Sequence, residues 1–323
     1  MRKLILLLLS LILILSSCEL YMDEPEMGDV YAIMVGLDYK NNSQDDLKGT
    51  LNDVDELHIV FGKMAESSDS NYFGYTFKQE GVAYTSAVNH SIGTTMVNAY
   101  PSIENIEQAI KALVNQTDDN DLILFTYSGH GKDDGTIALG ATSYSDAALS
   151  PVQEILDYFV DFDIKGRKLI ILDTCFSGLS LPENPGSSNT VLGSSIDDWY
   201  AKYWENSTYV LPDMYVLTAS ADTLSYEIDL DPSISADHRH GLFTAGLLKA
   251  LGWGHPHPNP DTLQIPPAAK ESVLTVDSLY GYILDFIEEH PDFNPQWNIL
   301  KLNETKQHPL VSGGAMDMVL FRF

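Results

Sequence analysis

The chain is poor in cysteine and in positive charge. Its 323 residues include only two cysteines, Cys18 and Cys175, and 18 Lys and Arg stand against 46 Asp and Glu, a formal charge of −28. Phosphate binding needs clusters of Lys and Arg, so nucleic acid is not an expected partner. The one long apolar run, Leu4 to Leu15, is shorter than the about 20 residues a membrane-spanning helix requires. No internal repeat or low-complexity block divides the chain. No loop with calcium-ligand spacing is legible. His255-Pro256-His257 lacks Cys or carboxylate partners at zinc spacing and lies in the proline-rich stretch 254–269, so it reads as loop.

The N-terminus carries Arg2-Lys3, then the apolar run, then Ser16-Ser17-Cys18. A basic start, a short apolar centre and small residues describe a secretory signal over residues 1–17. Leu15-Ser16-Ser17-Cys18 resembles the lipobox of bacterial lipoprotein signals, which implies lipidation of Cys18. The alternative is an ordinary signal peptide with a chance cysteine. The lipobox reading makes 18–28 a lipidated tether and 29–323 the folded domain. It places the protein in the cell envelope, held to a bacterial membrane on its extracytoplasmic side. Cys175 is then left as a lone thiol in a compartment that permits disulfides, and such a thiol is either buried or reactive. Losing Arg2 and Lys3 with the signal makes the charge −30. Such a surface confers solubility and draws in cationic peptides.

Strand and helix patterns alternate along the domain. Val30 to Gly36 reads as a buried strand, and Leu47, Leu51, Val54, Leu57, Phe61 and Met64 mark a helix over 46–65 capped by Asp45 or Asp46. Residues 67–80 read as loop and Gly81 to Ala87 as a strand. A helix follows Pro101-Ser102, then strand Leu122 to Tyr127 and a short hairpin arm, Thr136 to Leu139. Ser150-Pro151-Val152-Gln153 has the form of a capping box opening a helix. Lys168 to Asp173 is a strand, followed by a long polar connection, 179–213, whose only basic residue is Lys202 and which holds a short helix around 197–204. Met214 to Ala219, a helix over 243–251, a helix through Val276 to Ile287 and a strand Met316 to Phe323 complete the chain. This alternation predicts an α/β fold with a mostly parallel six-stranded sheet covered by helices on both faces.

Two strands end in reactive residues. Leu169-Ile170-Ile171-Leu172 runs into Asp173-Thr174-Cys175-Phe176-Ser177-Gly178. The strand starting at Leu122 runs into Ser128-Gly129-His130-Gly131. In open parallel sheets, chemistry collects at the carboxyl ends of strands. A thiolate is a nucleophile, and a nearby imidazole lowers the thiol pKa and later protonates a leaving group. The flanking glycines allow a substrate backbone to come close. The amides of Gly131 and Cys175 suit an oxyanion hole.

These motifs, with Y-A-I-M-V-G-L-D-Y from Tyr31, L-K-G-T-L-N-D-V over Leu47 to Val54 and H-G-L-F-T over His240 to Thr244, resemble the caspase–metacaspase family of cysteine peptidases across about residues 29–323. The resemblance implies a caspase-like sheet, a His130 and Cys175 dyad, and peptide-bond hydrolysis through an acyl-enzyme. Caspases proper carry Gln two residues before the nucleophile; here that position is Asp173. In metacaspases the matching Asp, with the Asp of the N-D motif (here Asp53), lines a pocket for Arg or Lys. A carboxylate can hold Arg bidentately. Taken without the resemblance, Asp53 is a helix-face or capping acid. Glu227 falls where family members often have an acid near this pocket. No cofactor is required. Calcium activation through acids such as Asp133, Asp134 and Asp146 stays open, as does self-cleavage in 179–213. The expected partners are peptides or proteins with basic residues, and the membrane through the lipid. Two rivals remain: a caspase-fold binding or scaffold lipoprotein with little turnover, and a clostripain-like peptidase of the same chemistry.

Overall fold

Eight consecutive buried residues, Val30–Leu37, form β1, an inner strand of the main sheet. The computed structural model describes residues 26–40, 46–80, 83–89, 100–140, 147–175, 214–220, 225–229, 239–253, 265–289, 307, 309–313 and 317–323, of which 83–89, 229, 288–289 and 310–313 by backbone only. The lipobox with Cys18, Asp146, the connection 179–213 with its expected helix, and His255 to His257 lie outside them. Among the described residues no helix is long and apolar enough to cross a membrane.

The other strands of the main sheet are β2 (Tyr72–Glu80), β3 (Ala83–Asn89), β4 (Leu122–Ser128), β7 (Arg167–Asp173), β8 (Met214–Thr218) and β12 (Leu310–Gly313). Their order is β12-β8-β7-β4-β1-β2-β3. The five from β8 to β2 are parallel, and β3 and β12 run antiparallel at the edges. Smaller two-stranded units pair β5 (Thr136–Leu139) with β6 (Ala148–Pro151), β9 (Glu227–Asp229) with β10 (Arg239–Gly241), and β11 (Val273–Thr275) with β13 (Val319–Arg322).

Among the described residues five helices cover the sheet: α1 (Thr50–Ser67), α2 (Ile103–Ala112), α3 (Val152–Asp161), α4 (Leu242–Ala250) and α5 (Val276–Glu289). Alternation along β1 assigns them to faces, because successive side chains of a strand point to opposite sides. Val30, Ala32 and Met34 join a core with Val54 and Phe61 of α1, Phe243 of α4 and Ile283 of α5. Tyr31, Ile33 and Val35 join the opposite core with Ile106 and Ile110 of α2 and Ile155 and Phe159 of α3. Each fully buried large apolar side chain contributes about 1.5–3 kcal/mol. Burial on both faces explains why β1, β4 and β7 read as unbroken apolar runs rather than alternating ones.

Several expectations need correction. The main sheet has seven strands among the described residues where six were expected. Residues 72–80, read as loop, are β2: the polar Lys78, Gln79 and Glu80 masked a strand whose Tyr75 and Phe77 are fully buried. The C-terminal strand is shorter than expected and pairs with β11 outside the main sheet, whose edge is β12 instead. Helix α1 begins at Thr50 with Gly49 as a cap that makes no side-chain bond. The carboxylate of Glu227, from β9, accepts from the amides of Lys48 (3.1 Å) and Gly49 (2.6 Å), filling the place Asp45 or Asp46 was expected to take. Ser150 lies in β6, and α3 starts after Pro151 with no side-chain cap, so the expected capping box does not form. Helix α2 starts after Pro101-Ser102 as expected, and Ser102 caps it, accepting from the amide of Asn105 at 3.3 Å.

Candidate active site

Strands β4 and β7 lie side by side in register, with Ser128 opposite Asp173. Beyond that pair the amide of Gly129 donates to the carbonyl of Asp173 at 3.3 Å, so the two chains leave the sheet together. A β-carbon added to Gly131 would sit 2.3 Å from the carbonyl oxygen of Cys175 and 2.5 Å from Oγ1 of Thr174. That approach brings the segments bearing His130 and Cys175 together at one edge of the sheet. A β-carbon on Gly129 would lie 2.5 Å from the Tyr127 hydroxyl and 2.9 Å from that of Tyr39. The glycines flanking His130, read as room for a substrate, therefore make room for the protein's own atoms.

Gly131 also faces Ile137 of β5 in an antiparallel bridge. The bonds of that bridge run through neighbours, from the amide of Lys132 to the carbonyl of Thr136 and from the amide of Ala138 to that of His130. The N–H of Gly131 is thus not spent on β5, because the amides of an antiparallel strand alternate in direction.

Cys175 is half-buried, and its Sγ accepts from the amide of Ser225 at 3.4 Å. Burial pushes the thiol pKa up, the negative Asp173 adds to the rise, and the Ser225 amide opposes both. Forming a thiolate here needs help from outside that balance.

Asp173 is buried, and its Oδ2 accepts from the amide and the hydroxyl of Thr244 at 2.9 and 2.8 Å. Its Oδ1 accepts from the Ser225 hydroxyl at 2.9 Å. Thr244 stands in the first turn of α4, whose N-terminal amides favour an anion. Burial still raises the Asp173 pKa, and the Thr244 and Ser225 bonds counter it. A β-carbon on Gly241 would lie 2.0 Å from Oδ2 of Asp173, so that position must stay glycine.

Asp53 has no exposed surface. Its Oδ2 accepts from the Ser128 hydroxyl at 2.6 Å, its Oδ1 is 2.9 Å from Nδ1 of His240, and the amide of Gly241 is 3.3 Å from both oxygens. On the other side of the ring, Nε2 of His240 is 3.5 Å from Oε2 of Glu56, which also accepts from the Trp253 indole. Burial pushes the Asp53 carboxyl up to about 7, with His240 holding it back. Burial alone would lower His240, but its bonds to Asp53 and Glu56 override this and raise it to about 9. Glu227, expected near the pocket, lies in β9 opposite Gly241, which packs on Asp173, and its carboxylate reaches the start of α1.

Sequence reasoning found the segments of His130 and Cys175 and both acids. It assigned no role to His240, Thr244, Ser225 or Glu56. His240 and Thr244 fall in the H-G-L-F-T motif, and a histidine before a glycine at a helix start was the available signal. Of the acids considered for calcium, Asp133 and Asp134 are exposed, and Oδ1 of Asp134 accepts from Thr136. Among the described residues no group of three or more His, Cys, Asp or Glu is placed to hold a metal.

A parallel sheet with helices on both faces, ending in a thiol segment and an imidazole segment at adjacent strands, defines a caspase-like α/β protein. Residues 29–279 match the Caspase domain family, and the chain belongs to that family of cysteine peptidases. It is similar to Metacaspase-1 of Meyerozyma guilliermondii, 29% identical over 168 residues, 52% of this chain and 35% of the relative. It is also similar to Metacaspase-1 of Debaryomyces hansenii, 29% identical over 165 residues, 48% of this chain and 34% of the relative. The matched stretch spans about a third of the length of these curated relatives.

Proposed function

We propose that the protein is a cysteine endopeptidase that cleaves peptide bonds after Arg or Lys. The observation that carries this reading is the approach of Gly131 to the Cys175 carbonyl, which brings the two reactive segments to one edge. His130 takes the proton from the Cys175 thiol, and the thiolate attacks the scissile carbonyl carbon. The amides of Gly131 and Cys175 hold the resulting oxyanion. Collapse breaks the C–N bond, and His130 returns its proton to the leaving amine. Water, deprotonated by the same imidazole, then hydrolyses the thioester and restores the thiol. A thiol held above its ordinary pKa in the resting state fits activation by the imidazole as substrate arrives.

The preference for a basic residue rests on Asp173, whose carboxylate is held by hydroxyl and amide donors beside the nucleophile. Asp53, fully enclosed and paired with His240, supports it by holding Ser128 and Gly241, the neighbours of Asp173. The test is hydrolysis of fluorogenic peptides with Arg, Lys or Asp at the cleaved position, with and without calcium, beside Cys175→Ala. Turnover after Arg or Lys that disappears in Cys175→Ala is expected. Cleavage after Asp would overturn the pocket assignment. No turnover in any condition with reductant present would favour the binding or scaffold reading, which the raised thiol pKa also suits.

The proposal extends to location: a lipid on Cys18 holds the domain at a bacterial envelope membrane. Labelled palmitate should enter the full chain and not Cys18→Ala, which should fractionate as soluble. Equal labelling of both would refute the anchor.

A further inference from the structure

We propose that Tyr39 is a positioning residue for His130, fixing the imidazole from its own ring face and from the backbone on both sides of it. The inference deepens the peptidase reading and rests on it for the role of His130.

Tyr39 follows β1 with φ +53°, a region that bulky side chains rarely enter and that costs free energy to hold. The amide of Lys40 donates to Oδ1 of Asp38 at 3.1 Å, closing a turn of the Asp type around it. The side chain is fully buried. What the strained backbone achieves is the placement of that side chain. The phenol ring lies against the His130 imidazole with centroids 4.6 Å apart, tilted by 43°. The hydroxyl donates to the carbonyl of Ala138 at 2.7 Å and accepts from the His130 amide at 3.2 Å.

A second tyrosine completes the clamp. The Tyr127 hydroxyl is 3.1 Å from that of Tyr39 and 2.9 Å from the carbonyls of both His130 and Ala138. Having one proton, it donates to one of these carbonyls at a time. His130 is thus held at its amide by Tyr39, at its carbonyl by Tyr127 and the Ala138 amide, and at its ring by the face of Tyr39. Gly129 is required by the same clamp, since a β-carbon there would meet both hydroxyls. A catalytic imidazole displaced by about 1 Å can lose about 100-fold in rate, and so the clamp bears on turnover rather than on binding.

The experiment compares Tyr39→Phe, which keeps the ring and removes the hydroxyl, with Tyr39→Leu, which removes both. Two readouts are taken on the same folded protein: kcat and KM for an Arg peptide, and the pH profile of Cys175 alkylation by iodoacetamide. The second reports thiolate formation with no peptide substrate involved. We expect kcat to fall about 10-fold in Tyr39→Phe and about 100-fold in Tyr39→Leu, with KM within about 2-fold, as for a misplaced catalytic group. We also expect a shifted alkylation profile in both. Wild-type kcat and an unmoved profile in folded Tyr39→Phe and Tyr39→Leu would overturn the proposal. So would losses that only track the unfolded fraction in a thermal melt. If Tyr39→Leu fails to fold, Tyr39→Phe decides alone on the same criteria. If the wild type cleaves no peptide but its alkylation profile moves in Tyr39→Phe, the positioning stands and the peptidase reading falls.

Discussion

Replacing His240 with Ala should destabilise the fold by roughly 3–5 kcal/mol, the cost of removing one partner from a buried ion pair. Three buried carboxyl groups surround this part of the molecule: Asp53, Glu56 and Asp173. His240 lies between two of them, at 2.9 Å from Asp53 and 3.5 Å from Glu56. Without its imidazolium, Asp53 would either take up a proton or stay charged with no counter-ion beside it. Either outcome disturbs the bonds it accepts from Ser128 and Gly241, which link α1 to the end of β4 and the start of α4. Domains of this kind have total stabilities of about 5–15 kcal/mol, so the loss is a large fraction. Urea unfolding of His240→Ala measures it, and a change below about 1 kcal/mol would show that the pair contributes little. Adding Asp53→Asn to the variant should recover part of the loss, because the stranded charge is then gone.

The same pair dictates a pH dependence. His240 is raised from 6.5 to about 9 in the folded state, so the stability it adds is complete below pH 6.5 and is lost as the pH rises through 9. Asp53 is raised from 3.8 to about 7, so its contribution is complete below pH 3.8 and is lost as the pH rises through 7. Both slopes have the same sign. The thermal midpoint of the wild type should fall as the pH rises from about 4 to about 9, and that fall should flatten when both groups are removed, in His240→Gln with Asp53→Asn.

Gly131→Ala should lower kcat by about 100-fold, the scale set by an ångström of misplacement at a reacting centre. The new β-carbon would be 2.3 Å from a backbone oxygen of Cys175, a contact no side-chain rotation can relieve. One of the two segments must move, and they are the segments of the nucleophile and of its base. The disturbance lies beyond the hydrogen-bonded register of β4 and β7, so the sheet should tolerate it better than the chemistry does. Gly281→Ala is the matched control: it sits inside α5 with nothing within 4 Å of an added β-carbon. There alanine should be neutral or stabilising by up to about 1 kcal/mol. Gly131→Ala within 2-fold of wild-type kcat would mean that the two strand ends have slack and are not closely placed.

Much of this molecule was legible before its fold. The runs that became β1, β4, β7 and β8 are fully buried, and a strand buried on both faces announces itself as an uninterrupted apolar stretch. The helices α1, α2, α3 and α5 showed one apolar face each. Strand β2 did not show, since its end at Lys78 to Glu80 is polar and partly exposed, and it is pairing with β1 and β3 that makes it a strand. The caps divide in the same way. Ser102 caps α2 from within its own sequence, whereas α1 is capped by Glu227, which reaches it from β9.

At the site, the amino-acid sequence by itself determined which strands end in an imidazole, a thiol and an acid. Order along the chain and hydrophobic period are local properties, and a parallel sheet collects its strand ends on one edge. Only the tertiary structure decided what those groups touch. His240 pairs with Asp53 across 187 positions, and Tyr39 lies on His130 across 91. Periodicity reports that a side chain is buried but not beside what, and the partner of a buried charge is set by distance in space.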